Sequence, residues 1–408
     1  PLLPYNRYQT TMNEFDWEMQ NQKVLFRALE GQPGSFLSTD PVRESLNFEG
    51  QTAYYDLQSS ELKIGGVPYI TTADAFIFPD SGRVDIAPGG KMSTLLNARI
   101  VADTLNQNHT INRATVNIDG RKHYSASGFY EYNIGDRAQE IEFGEIIGTR
   151  VGPGKIQFRK VETRARGEIK EEDNLYIDHK TRFKGNIELS ASNVNLLFDG
   201  FALLDADKLP EKYWFTIKSE GDKKDLNIEY LKPFTFEGEP VETGLFLSRE
   251  TAQLYPRVMM PLSYRRDRPI IPVTGIFDYD ETKDRFLFGD STKVKGDALT
   301  GNLLVFDNKT GNVQVEGKFN IGSGLPYVEI KAAGTAKTAF NPPVPVVEKD
   351  ENRMSADEEP TETPTLPQPP TELDLMLGVP LLIPDELMRI MINDIQSGSF
   401  DAPNITYL

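Results

Sequence analysis

Cysteine is absent from this 408-residue chain. That excludes disulfides and thiolate-held zinc or iron–sulfur centres. Histidine is scarce: His109, His123 and His179 are the three present, and none stands at the spacing of a metal-ligand pair or beside a nucleophile. Basic residues are outnumbered, 44 Lys and Arg against 61 Asp and Glu, for a formal net charge of −17. A nucleic-acid backbone or an anionic membrane surface rewards the opposite balance, so neither is expected as the main partner. No apolar run reaches the roughly 18 residues of a transmembrane helix. Gly-x-Ser-x-Gly, His-Glu-x-x-His and a phosphate loop are all missing, so no catalytic residue and no cofactor is implied. Gly152-Pro153-Gly154 lacks the helix and lysine of a phosphate cradle and reads as a turn.

What the chain does have is aromatic bulk, 23 Phe and 16 Tyr, set into short alternating runs. Gly301–Gly317 (GNLLVFDNKTGNVQVEG) places Leu303, Val305 and Phe306 before an Asp-Asn-Lys-Thr-Gly turn, with Val313 and Val315 alternating after it. Gly275–Gly289 (GIFDYDETKDRFLFG) and Gly50–Gly65 (GQTAYYDLQSSELKIG) repeat that order of glycine, aromatic strand, aspartate, polar turn, apolar strand and glycine. Each reads as a β-hairpin. Phe36-Leu37-Ser38 is echoed 210 positions later by Phe246-Leu247-Ser248, each ahead of one such unit, which suggests a diverged internal repeat.

Between Val67 and Ile147 strand-like runs recur about every 8–12 residues, the rhythm of an all-β fold. Asn97–Val101 and Arg113–Ile118 share an Ala-x-Ile/Val core. The expected architecture is all-β, an elongated β-roll or stacked antiparallel sheets. Its expected divisions are a lead-in over 1–35, strand or short helix, and a repeated β-domain over 36–340 with possible subdivision near 150 and 240. An acidic, proline-rich linker over 341–372 and a short helix within 373–408 complete it. Pro384–Ile395 carries that helix, with Leu387, Ile390, Met391 and Ile395 at helical spacing. The helix suggests a following domain, and the start at Pro1 suggests a processed chain or a fragment, so no signal peptide is expected within it.

Three groups stand out as candidate sites. Asp199, Asp205 and Asp207, in Asp199–Asp207 (DGFALLDAD), put three carboxylates near a glycine and could feed a cation, without an EF-hand pattern. With Tyr213 and Trp214 beside them they also form an acidic, aromatic neighbourhood of the kind sugar sites favour. The hairpin aromatics Tyr54, Phe277 and Phe306 either fill a core or line an apolar groove for an acyl chain or a partner. The basic run from Arg150 to Arg166 alternates with Val151, Ile156, Phe158 and Val161 and reads as the solvated face of a strand.

The repeated unit, with its aromatic-Asp, Thr-Gly turn and Val-x-Val-x-Gly close, resembles the OstA-like β-roll repeats of periplasmic lipopolysaccharide-transport proteins. That resemblance implies an open roll whose apolar interior conducts lipid. VPYITTADAFIFPDSGRVDI and the Asn-Ala-Arg-Ile run look like large envelope proteins of the Bacteroidota. Together these imply an exported, periplasmic or outer-membrane-associated chain whose partner is an envelope protein, lipopolysaccharide or another lipid. The expected function is a non-catalytic envelope β-scaffold in assembly or in macromolecule or lipid binding. The alternatives are lipid transfer along an OstA-like groove and a carbohydrate-active enzyme on a β-solenoid.

Overall fold

Alternating apolar residues punctuated by glycine and polar turns fold here almost wholly into antiparallel strands. In the computed structural model of the protein, the residues described are 1–27, 32–152, 160–219, 228–230, 232–296, 298, 300–321, 330–340, 371–378, 389, 390 and 393. Contacts divide the chain into two units, Pro1–Ala202 with Ile217–Leu226, and Leu203–Thr216 with Asn227–Leu408. The division falls between the expected points at 150 and 240. Residue 150 lies inside the strand Arg137–Val151, which pairs with Lys160–Ile169 in continuous register from Glu145 opposite Arg166 to Val151 opposite Lys160.

The first unit holds two sheets. One is five-stranded, in the order Val84–Ile86, Glu61–Gly65, Thr52–Asp56, Lys23–Arg27, Glu14–Glu18. The other carries the long strands Leu95–Ala102, His109–Gly120, His123–Ile134, Arg137–Val151, Lys160–Ile169, Thr181–Ser190 and Leu197–Leu204, each beside the next. Residues 1–35 are therefore not a lead-in. Tyr8–Thr10 pairs with Gly34–Ser38, and Lys23–Arg27 pairs with Thr52–Asp56. The two Ala-x-Ile/Val runs are neighbours, with Ala98 opposite Ala114.

Period-two alternation fixes the faces of the long strands. In His109–Gly120 the residues Ile111, Ala114, Val116 and Ile118 are buried, while Thr110, Thr115, Asn117 and Asp119 are exposed. On the inner face His109 stacks near Tyr130 and Tyr130 near Phe143, at ring separations of 5.7 and 6.1 Å. Phe183 and Phe198 pack edge to face at 5.2 Å.

The second unit's main sheet runs Ile228–Tyr230, Gly275–Asp280, Arg285–Gly289, Leu303–Asp307, Asn312–Phe319, Lys331–Ala339, Glu372–Gly378. A three-stranded sheet, Leu254–Met260, Glu242–Leu247 and Arg268–Pro272, accompanies it. All three sequence units are hairpins: Tyr55 faces Leu62, Phe277 faces Phe288 and Phe306 faces Val313. The aspartate they share is a turn device. Asp56 accepts from the Gln58 and Ser59 N–H groups at 2.9 and 3.2 Å, Asp280 from Lys283 N–H at 3.2 Å, and Asp307 from Lys309 and Thr310 N–H at 3.0 and 2.9 Å. The closing glycine has its own cause at Gly289, where φ is 154° and a Cβ would collide with the carbonyl of Asn302, just ahead of the next strand.

Glu372–Gly378 pairs with residues 331–337 throughout, from Lys331 opposite Gly378 to Lys337 opposite Glu372. The β-structure therefore continues past 340, because Leu373, Leu375 and Leu377 alternate in a stretch read from its composition as the end of the linker and the approach to a helix. Residues 341–370 of the expected linker over 341–372 and the Gly-Pro-Gly turn beyond Gly152 lie outside the described residues, as do residues 153–159 of the basic run. Of the expected helix, Arg389, Ile390 and Asn393 are described and all are helical.

Candidate functional site

The solvated face of the long-strand sheet is built from alternate residues that the pleat turns away from the core. Its charges pair across strands: Arg113 with Glu140 at 2.8 Å, Arg166 with Glu188 at 3.1 Å, Lys218 with Asp199 at 3.2 Å. At one side of this face a cleft of about 660 Å³ opens between the strands and the loop that follows Ile169. Glu140, Glu142, Glu168, Glu172 and Asp173 line it together with Arg137, Lys170, Phe129 and Tyr176.

Local structure places each of these groups. The 3₁₀ turn Glu171–Asp173 is closed by the Asp173 carboxylate, which accepts from the Lys170 N–H at 2.7 Å. The Gln139 side chain clamps Tyr176 at both backbone groups, donating to its carbonyl at 3.0 Å and accepting from its N–H at 2.8 Å. Arg137 lies over the Tyr176 ring at 3.5 Å and Arg113 over Phe129 at 4.4 Å, so each aromatic carries a guanidinium on one face. The arrangement is polar and acidic. It suits hydrogen bonding to hydroxyl-rich or cationic groups better than it suits an acyl chain.

A second polar group lies inside the same sheet. Tyr124 donates to the Thr163 hydroxyl at 2.9 Å, and Thr163 in turn donates to Asp74 Oδ1 at 2.5 Å. Burial pushes the Asp74 carboxyl up, against the opposing hydrogen bonds from Thr163. Gly148 makes the space, since a Cβ there would collide with the Tyr124 ring. Glu162 is buried but is held below the ordinary carboxylate range: burial opposes ionisation, yet Ser192, Ser190 and Arg164 donate to it at 2.5, 2.9 and 2.9 Å. His109, fully buried, donates from Nε2 to the Asn193 carbonyl at 2.6 Å, which leaves Nδ1 to accept from the Tyr130 hydroxyl at 3.3 Å. Burial lowers its pKa, with the Asn193 and Ser190 carbonyls opposing. Tyr124, Thr163 and His109 make these links on the inner face, whereas Glu162, in step with exposed Arg164 and Arg166, makes its links on the opposite face.

The sequence candidates are dispersed. Asp199 is in the first unit, in an ion pair with Lys218, whereas Asp205 and Asp207 belong to the second. Asp205 pairs with Lys212 at 3.1 Å, and the Asp207 N–H donates to Asn308 Oδ1 at 2.7 Å. Tyr213 donates to Glu211. Among the described residues, no three His, Asp or Glu side chains are grouped so as to hold a metal ion.

Phe277 and Phe306 are 3% and 0% exposed. Phe277 packs between Phe215 and Phe288 at 6.2 and 5.8 Å, and Phe306 between Phe286 and Phe340 at 6.3 and 5.9 Å. Tyr54 differs: it is half-buried, with the Lys23 ammonium 5.0 Å from its ring centre. Reading residue by residue missed the cleft and the Asp74–Thr163–Tyr124 chain, whose members are 39 and 89 positions apart and share no motif. Alternation along Arg137–Val151 was the one signal in the sequence that bears on the cleft.

No family model matches the chain, and comparison with curated proteins and with solved structures finds no match. The molecule is thus defined by its architecture, a two-unit antiparallel β-protein with a broad polar strand face. Among the described residues no helix is long and apolar enough to cross a membrane.

Proposed function

We propose that this chain is a non-catalytic β-scaffold of the cell envelope, exported to the periplasm or the outer membrane, that binds an envelope protein during assembly. The observation that carries this reading is the filled interior of the hairpin sheet. Phe277 and Phe306, the positions an acyl chain would touch in an OstA-like groove, are occupied by other rings of the same core. Packed aromatics hold sheets together and leave recognition to the outside, so assembly ranks above lipopolysaccharide or lipid transfer. The polar strand face of the first unit supplies a large surface for such recognition.

The test is purification of the intact protein from its native source after mild cross-linking. A stoichiometric envelope protein is the expected companion. Recovery of the chain with neither an envelope protein nor a lipid overturns the reading.

The acidic, aromatic-bearing cleft favours a second reading, carbohydrate binding or hydrolysis, at Glu142 and Glu168 rather than at the aspartates after Leu197. Turnover of any member of a glycan panel, lost in Glu142→Gln and Glu168→Gln, would promote it over the scaffold.

A further inference from the structure

The five-stranded sheet ends in a strand whose every residue is exposed. In Glu14–Glu18 alternation puts Phe15 and Trp17 on one face and Glu14, Asp16 and Glu18 on the other. Phe15 and Trp17 are 62% and 60% exposed, and Met19 just beyond is 71% exposed. Surface Trp and Phe side by side on one strand are uncommon on a face with no partner.

This face continues the core. Phe15 lies opposite Phe26, Phe26 opposite Ala53, Ala53 opposite Ile64 and Ile64 opposite Val84. Val84, Ile64, Ala53 and Phe26 are buried, so one apolar row runs from the covered core out to an uncovered end. Among the described residues no strand pairs with the far side of Glu14–Glu18. Half of its backbone N–H and C=O groups therefore point away from the sheet, and what guards the edge is charge of one sign, Glu14, Asp16 and Glu18, with no proline or bulge in the strand.

The side that is already paired shows what fits. Lys23–Arg27 (KVLFR) sets Lys23 opposite Glu18 and Arg27 opposite Glu14, with Val24 and Phe26 opposite Trp17 and Phe15. Arg27 also reaches Asp16 at 2.9 Å, a solvent-exposed contact that is easily traded. The free side presents the same carboxylates and the same rings. A second copy of this chain is disfavoured there, because antiparallel pairing about Asp16 would set Asp16 against Asp16 and Glu14 against Glu18. An anionic bilayer would meet three carboxylates.

We propose that Glu14–Glu18 is a docking edge that takes, as a sixth antiparallel strand, an extended segment of a partner protein in which basic residues alternate with apolar ones. Backbone hydrogen bonds hold the segment, carboxylates fix its register, and Phe15 and Trp17 receive its apolar side chains. The proposal stands apart from the cleft and from the envelope placement.

The test uses the full chain carrying Trp214→Phe, so that Trp17 alone reports. The probes are a labelled Lys-Val-Lys-Phe-Lys-Val-Lys peptide, a Glu-for-Lys counterpart, and a blocked isomer with all lysines at one end. The alternating lysine peptide is expected to bind and to shift Trp17 emission to the blue, and the blocked isomer to bind at least ten-fold more weakly. Glu14→Lys with Asp16→Lys and Glu18→Lys should lose the lysine peptide at least ten-fold and gain the glutamate peptide, a swap that misfolding cannot produce. Equal binding of the blocked isomer, or no swap, overturns the proposal. So does a Trp17 shift produced by phosphatidylcholine–phosphatidylglycerol vesicles but not by the peptide, or concentration-dependent self-association abolished by Asp16→Lys.

Discussion

The inner face of the long-strand sheet and the inner face of the hairpin sheet are filled in different ways. In the second unit Phe277, Phe286, Phe288 and Phe306 form a ladder of rings from strand to strand, all nearly or fully buried. In the first unit the corresponding positions include His109, Tyr124 and Thr163, whose polar atoms are satisfied by one another, by Tyr130 and Asp74 and by the Asn193 carbonyl. A ring ladder is held by burial and shape and is indifferent to pH. A hydrogen-bonded interior depends on protonation and on every partner remaining in place. The two units should therefore fail under different insults.

The largest effect is expected in the hairpin sheet. Phe306→Ala removes a fully buried ring between Phe286 and Phe340 and should cost about 3–5 kcal/mol, seen as a lowered denaturation midpoint of the second unit in hydrogen exchange of the whole chain. Next comes the polar interior of the first unit. Thr163→Val strands the Tyr124 hydroxyl and takes the side-chain donor from the half-buried Asp74 carboxyl and should cost about 2–4 kcal/mol, whereas Tyr124→Phe removes one donor and should cost about 1 kcal/mol. Equal losses from the two would break the claim that these groups act as a chain.

The pH response sharpens the comparison further. Burial depresses the His109 pKa, so its contribution is full above the ordinary histidine value of about 6.5 and is lost as pH falls through that value towards its folded pKa. Glu162, also depressed, adds a loss at lower pH, in the carboxylate range. Asp74, raised by burial, has the opposite sign and costs stability as pH rises above the usual aspartate value. All three histidines lie in the first unit. Between pH 7.5 and 5, exchange protection of Leu95–Ala102 and His109–Gly120 should fall after correction for intrinsic rates, while Arg285–Gly289 and Leu303–Asp307 hold theirs. His109→Gln, which keeps a donor for Asn193, should flatten the response.

The smallest effect belongs to the hairpin turns. Asp307→Ala gives up acceptors for two backbone N–H groups and the Arg285 contact at 3.2 Å, for about 1 kcal/mol, and Asp307→Asn should recover part of it.

The hairpin sheet was the more legible half. Its aromatic-Asp signature is a local device, an aspartate capping its own turn, and its glycines mark strand ends, so short-range spacing was enough to find both of its copies, and the third in the first unit's five-stranded sheet as well. Burial of Phe277 and Phe306 was not legible, because alternation says which residues share a face and not whether another layer covers it. The first unit shows the converse. The alternation of His109–Gly120 was plain, yet Asp74, Thr163 and Tyr124 meet only through sheet register, and the division near 202–227 falls where composition does not change. Glu14–Glu18 reads neither as core nor as surface, since its rings continue a buried row without being buried.

The central claim is that the interior is packed and partners are met outside. Native mass spectrometry of the protein, extracted from its source in mild detergent, tests that most directly. The account predicts a chain that retains a protein partner and carries no stoichiometric acyl lipid. One lipid or lipopolysaccharide molecule per chain, retained in the parent protein and lost in Phe277→Ala and Phe306→Ala variants that still fold, would contradict it.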